Sequence, residues 1–113
     1  MSKKNPYKSL KDILNLAYLQ ASEGKGKERH AKEGQAFEDQ PICSIARDLE
    51  DVGIGFQLGQ AKKKIIESQR LAQFPGRSIA ELLGAINYIA GAIIITNERA
   101  KERANESKAN NSI

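Results

Sequence analysis

The stretch Ser78–Thr96, SIAELLGAINYIAGAIIIT, decides the fold. Ser78 and Glu81 read as an S-x-x-E capping box, in which two side chains satisfy backbone donors at a helix start. Apolar residues then fall on every side. Leu83, Ala90 and Ile94 lie on one, while Ala85, Ile89, Ala92 and Ile95 lie on others. A helix that is apolar all round is a buried helix. The remaining chain is too short to wrap it, so a second copy is expected to bury part of it. The expected architecture is all-α. It is a small helical bundle with a long charged loop after the first helix and a buried apolar C-terminal helix, assembled as a homo-oligomer.

Working outward, Leu10, Ile13, Leu14, Ala17 and Ala21 recur at one face of a 3.6-residue period. With Ser9 as N-cap and Gly24 beyond the end, they predict a helix over 9–22. Pro41 suits the first position of a second helix, carried by Ile42, Ile45, Ala46 and Leu49. A third, with Leu58, Ala61 and Ile65 on its apolar face, runs to about Leu71. Phe74-Pro75-Gly76-Arg77 reads as a turn. Residues 1–8 are expected to be a mobile N-terminus, 9–96 a single helical domain, and 97–113 a charged helical extension with a frayed tail.

Composition narrows the function. The chain has 113 residues, 40% of them hydrophobic, with three Tyr, three Phe and no Trp. Aliphatic packing must therefore carry the core. A net charge of +4 and a pI near 9.3 favour anionic partners mildly, below the density of a dedicated DNA-binding module. One cysteine, Cys43, excludes an intrachain disulfide and fits a reducing cytoplasm. The N-terminal MSKKNPYKSL has no apolar core, so no secretory leader is expected. Leu82–Ile95 falls short of the roughly 20 residues of a spanning helix, so no membrane partner is expected.

No catalytic motif stands out. One His and one Cys do not make a zinc site, and neither a metal nor a cofactor is expected. Cys43 reads as a small buried hydrophobe. Four carboxylates on two facing helices would suggest an all-α nucleotide pyrophosphohydrolase of the MazG type. The third helix offers only Glu67 and the apolar one only Glu81, while Asp48, Glu50 and Asp51 gather at a helix end. The cationic segments are more informative. Gly24-Lys25-Gly26-Lys27 lacks Walker A spacing. Its glycines nevertheless expose backbone N–H groups, and Lys25, Lys27, Arg29 and His30 supply donors for phosphate. The same run also reads as a solvated linker. Gln57, Gln60 and Lys64 share a polar face, which either lines a pocket or faces solvent. Gly84, Asn87, Tyr88 and Gly91 share a side of the apolar helix. Small residues there let another helix approach, and Asn87 finds its own copy across a two-fold axis or reads the polar edge of a ligand.

The blocks GKGKERH (Gly24–His30), FEDQPICSIARDL (Phe37–Leu49), GQAKKKIIES (Gly59–Ser68) and ELLGAINYIAGAI (Glu81–Ile93) resemble small bacteriophage proteins. The size and lysine-rich composition are similar to those of the anti-CBASS sponges, oligomers that sequester cyclic oligonucleotide signals without cleaving them. That resemblance implies a phage-encoded, nucleotide-binding protein of immune evasion, acting in the host cytoplasm, with cations on phosphates and aromatic or aliphatic side chains on bases. From the reading of the residues themselves, Lys25, Lys27, Arg29 and His30 are expected on phosphate, Phe37 or Tyr88 on a base, and Gln60 or Lys64 as second contacts. The alternatives are an interaction protein that inhibits a host enzyme through the 24–40 loop, a nucleic-acid binder using Lys62, Lys63, Lys64 and Arg70, or the hydrolase.

Overall fold

The computed structural model describes residues 5–23, 34–48 and 53–111, with side chains as far as Lys108. Among these residues the protein is all-α. Its helices are α1 (Lys8–Glu23), α2 (Pro41–Asp48), α3 (Gly55–Arg70) and α4 (Pro75–Asn111), with a 3-10 turn at Phe37–Asp39 before α2.

The helix ends show how the chain divides. α1 begins one residue before Ser9, and the cap is Asn5. Its Oδ1 accepts from the Tyr7 N–H at 2.9 Å, and its carbonyl accepts from the Lys8 N–H at 3.1 Å. α4 begins at Pro75, not at Ser78. A proline lacks the N–H that a first turn leaves unpaired, so the Pro-Gly pair opens the helix instead of bending the chain, and the turn falls at 71–74. The capping box is therefore not formed. The Ser78 hydroxyl donates to the Ser68 carbonyl at 2.8 Å, tying α4 to the end of α3, and Glu81 turns to Lys64. At its other end α4 stays helical to Asn111, past the point at which the charged tail is expected to fray.

α4 is the axis of the bundle. α3 packs along it most extensively, α1 next, and α2 crosses its middle. The Gln57 amide meets the Ile42 carbonyl beside Gly91, Lys64 meets Glu81, and Ser68 meets Ser78. Rising numbers on α3 thus pair with falling ones on α4, and the two are antiparallel. α1 is antiparallel as well, with the Asn87 amide donating to the Ala17 carbonyl at 3.0 Å and the Gln20 amide to the Ala80 carbonyl at 2.9 Å.

The contact face of α3 differs from the expected one. Gln57, Ala61 and Ser68 are buried, whereas Leu58 and Ile65 stand about half exposed. Small and amide side chains fill this face, beside the point where α2 comes close to α4. At Gly91, a Cβ would lie 3.2 Å from the Ile42 carbonyl oxygen. Gln57 is fully buried and donates to that same oxygen at 2.9 Å. Its place on a solvent-facing polar stripe is thereby corrected.

The resulting core is made of small residues. Buried apolar residues are Ala17, Ile42, Cys43, Ala46, Ala61, Ala85, Tyr88, Ala92 and Ile95, with Phe37, Ile54, Phe56 and Ile94 packed around them. A fully buried Leu or Ile contributes about 1.5–3 kcal/mol, and few are buried here. On α1 only Ala17 is, while Leu10, Ile13, Leu14, Leu16, Tyr18 and Leu19 remain exposed.

One ion pair closes the far end. The Arg47 guanidinium on α2 donates to both Glu98 carboxylate oxygens, at 2.9 and 2.5 Å, and Arg99 donates to the Ala46 carbonyl at 3.1 Å. The bond from Arg47 holds the Glu98 carboxyl below its usual range. A carboxyl with a depressed folded pKa stabilises the protein above its unfolded value of about 4.3, and that contribution is lost as pH falls through the lowered folded value. Both side chains are about a third exposed, which limits the pair to about 1 kcal/mol. Glu98→Gln is expected to lower the melting temperature at pH 7 by about 4 °C and to flatten its fall below pH 5. An unchanged acid profile, followed by circular dichroism, would show that the pair contributes nothing.

Candidate functional site

A cavity of about 430 Å³ opens between α1, the start of α2, α3 and the first turns of α4. It lies within the roughly 300–1,000 Å³ typical of small-molecule sites. Its walls carry three kinds of chemistry. Lys64 and Arg77 are the cations, Phe37 and Tyr88 the aromatic rings, and Gln20, Gln40 and Asn87 the carboxamides. Among the described residues, Glu81 is the one acidic member of the lining.

Lys64 occupies the centre of this arrangement. Its ammonium lies 3.4 Å from a Glu81 carboxylate oxygen and 5.9 Å from the centroid of the Tyr88 ring. It reaches both by lying across Gly84. A Cβ at that position would sit 2.9 Å from Lys64 Cδ and 3.2 Å from its Nζ. The glycine in α4 is thus a groove for the lysine of α3, at a cost of about 0.5–1 kcal/mol in helix propensity. Lys64 is about a quarter exposed, so its charge remains available.

The rings are fixed by packing. Tyr88 is 8% exposed and meets Phe56 edge to face, with centroids 6.0 Å apart and planes at 79°, a geometry that aromatic quadrupoles favour. Burial pushes its phenol above the usual range, so Tyr88 is a neutral donor at physiological pH. Phe37, on the 3-10 turn, is half-buried and packs against the core. The same turn sets Gln40, whose amide donates to the Gln35 carbonyl at 3.1 Å. Arg77, at the start of α4, lies over the Phe74 ring with its Cζ 5.5 Å from the centroid.

The residues expected from sequence divide three ways. Phe37, Lys64 and Tyr88, from three different elements, line this one cavity. Gln60 lies on α3 but does not line it. Lys25, Lys27, Arg29 and His30 fall outside the described residues. Sequence reasoning does not reach Arg77, Gln20 and Gln40 as contacts. Arg77 is recognisable only as part of the basic surplus, and an isolated glutamine carries no motif. The oligomer reading of Gly84, Asn87, Tyr88 and Gly91 is corrected. Gly84 receives Lys64, Gly91 crowds Ile42, and Asn87 donates to α1, all within the same chain.

A second, more apolar cavity of about 730 Å³ adjoins the first and shares Ala21, Phe37, Gln40 and Asn87 with it. Leu14, Tyr18, Ile86, Ala90 and Ile94 are among the apolar residues of its wall. Cys43 takes no part in either cavity. It is fully buried, and burial pushes its thiol up to about 11, which disfavours the thiolate at neutral pH. No group of three or more His, Cys, Asp or Glu residues with metal-ligand geometry occurs among the described residues. No protein-family model, curated protein or solved structure matches the chain.

Gly84→Ala separates the site from the fold. The added methyl meets only the distal end of a flexible lysine, so the melting temperature should hold or rise. The Lys64 ammonium should leave Glu81, which a crystal structure of the variant would reveal. A variant that unfolds, or that leaves Lys64 in place, would contradict the groove.

Proposed function

We propose that the protein is a binding protein for a small nucleotide, held in the cavity between α1, α3 and α4, and that its work is done by binding. The observation that supports this most is the convergence of Lys64, Arg77, Phe37 and Tyr88 on one cavity with three carboxamides. A nucleotide needs these three chemistries. Cations meet the phosphate, and Arg77 can do so through two parallel hydrogen bonds. An aromatic face meets the base. Carboxamides donate to and accept from the base edge, which fixes identity because an unpaired buried polar group is costly.

The Lys64–Glu81 pair gives the site a resting state. Without ligand, Glu81 holds the ammonium over Gly84. A phosphate entering beside it competes with the carboxylate for the same donor. With two cations against one carboxylate the lining favours an anion, and the surrounding apolar wall strengthens that attraction.

Within this reading, the resemblance to the phage sponges points to a cyclic oligonucleotide signal of anti-phage immunity, sequestered in the host cytoplasm. A sponge needs roughly nanomolar affinity, about −12 kcal/mol. Two charge-assisted phosphate contacts and a stacked base supply part of it. Lys25, Lys27, Arg29 and His30 are assigned to the remaining phosphate contacts.

Calorimetric titration with cyclic di- and trinucleotides, and with linear nucleotides as controls, tests the reading. One of them is expected to bind and to be recovered intact. A ligand at 100-fold over its Kd should stabilise the protein by about 2.7 kcal/mol. Lys64→Ala with Arg77→Ala should weaken binding about 100-fold, at roughly tenfold for each 1.4 kcal/mol lost, and Lys27→Ala with Arg29→Ala should weaken it further. No binding by any nucleotide would overturn the proposal, and conversion of the ligand to product would make the protein an enzyme.

A further inference from the structure

The two cavities meet, and they differ in charge. Ala21, Phe37, Gln40 and Asn87 belong to both linings. The smaller cavity has Lys64 and Arg77 in its wall. The larger, of about 730 Å³, has no Lys, Arg or His among the described residues of its lining, and Glu38 is the one acidic member. A phosphate is thus drawn to the first cavity and repelled from the second.

The larger cavity lies between two helix faces. Leu14, Ala17, Tyr18 and Ala21 recur at three and four residues along α1, and Ile86, Ala90 and Ile94 recur at four along α4. The Asn87 amide, donating to the Ala17 carbonyl at 3.0 Å, ties the two helices together. Ala17, Ala21 and Ala90 have little side chain with which to fill the space.

We infer that the larger cavity is a subsite for an uncharged nucleoside, so that the ligand is a dinucleotide. This rests on the nucleotide reading of the smaller cavity and extends it. One nucleoside and the phosphate occupy the Lys64 and Arg77 side, and the second nucleoside lies against Tyr18. Tyr18 lines the larger cavity alone and is 66% exposed, so its ring is available for stacking. An alkyl phosphate is the competing occupant, with its chain in the apolar cavity. The carboxamides of Gln35, Gln40 and Asn87 in the same lining disfavour it. They pair with the edge of a base, whereas an alkyl chain would strip them of water and return no hydrogen bond.

Calorimetric titration of the full chain with mononucleotides, the matching linear dinucleoside monophosphates, cyclic dinucleotides and octyl phosphate tests the subsite. A dinucleotide is expected to bind about tenfold more tightly than the mononucleotide of the same base, which is what one stacked base supplies. Tyr18→Ala should remove most of that gain and leave the mononucleotide affinity unchanged. Ala90→Phe should do the same, because Ala90 lines only the larger cavity. Circular dichroism reports whether each variant folds. Should Ala90→Phe unfold, Tyr18→Ala decides, since it replaces an exposed side chain. Equal affinity for mono- and dinucleotide, or an equal effect of Tyr18→Ala on both, would overturn the subsite and leave the nucleotide reading standing. Octyl phosphate binding as tightly as the dinucleotide would assign the cavity to an alkyl chain and overturn it as well. No binding by any nucleotide would overturn both.

Discussion

Everything in this bundle depends on how closely α4 lies against α2 and α3. At Gly91 the Ile42 carbonyl and the Gln57 side chain fill the space that a side chain would occupy. Gln57 is held there by donating to the Ile42 carbonyl, which ties the first turn of α2 to α3 over the middle of α4. An amide is an expensive residue to bury, and its Oε1 has no partner among the described residues. It is retained because it links three elements at one point. The alanines at 46, 61, 85 and 92 follow from the same closeness, since larger side chains would push the helices apart.

That closeness also creates the site. Two turns before Gly91, Gly84 leaves a groove of the same kind, but here the space is filled by the flexible arm of Lys64. The lysine can lie flat, reach Glu81 and cover the Tyr88 ring only because the helix beneath it has no side chain at that position. The 3-10 turn then brings Phe37 and Gln40 to the same cavity, and α1 brings Gln20. A bundle with a thin core of small residues thus carries a polar cavity between helices that are themselves in near contact. The large aliphatic residues, which would be the core of a more ordinary bundle, lie instead on outward faces of α1, α3 and α4.

The helices are legible in the sequence because apolar periodicity sets them, and the all-α class follows directly. The faces are less legible. Leu58 and Ile65 look like the inward side of α3, since burial is read from hydrophobicity. Yet the inward side is Gln57, Ala61 and Ser68, since closeness of approach outweighs side-chain transfer there. Pro75 misleads for a related reason. Pro-Gly is turn chemistry in isolation and a helix start when a helix follows. For the site, Phe37, Lys64 and Tyr88 stand out as aromatic or cationic residues near the apolar helix. Gln20, Gln40 and Arg77 do not, because only the antiparallel packing of α1 and the start of α4 at Pro75 bring them to the same cavity.

Thermal unfolding of two glycine variants tests the close approach most directly. Gly59 sits in α3 with nothing within 4 Å of where a Cβ would be added, whereas at Gly91 the Cβ would meet a backbone carbonyl at 3.2 Å. Gly59→Ala is expected to raise the melting temperature through helix propensity, by up to about 1 kcal/mol. Gly91→Ala is expected to lower it, because a carbonyl already bonded to Gln57 has little room to move. Equal gains from both substitutions would contradict the account, since they would mean that α4 does not lie against α2 and α3 as closely as the cavity requires.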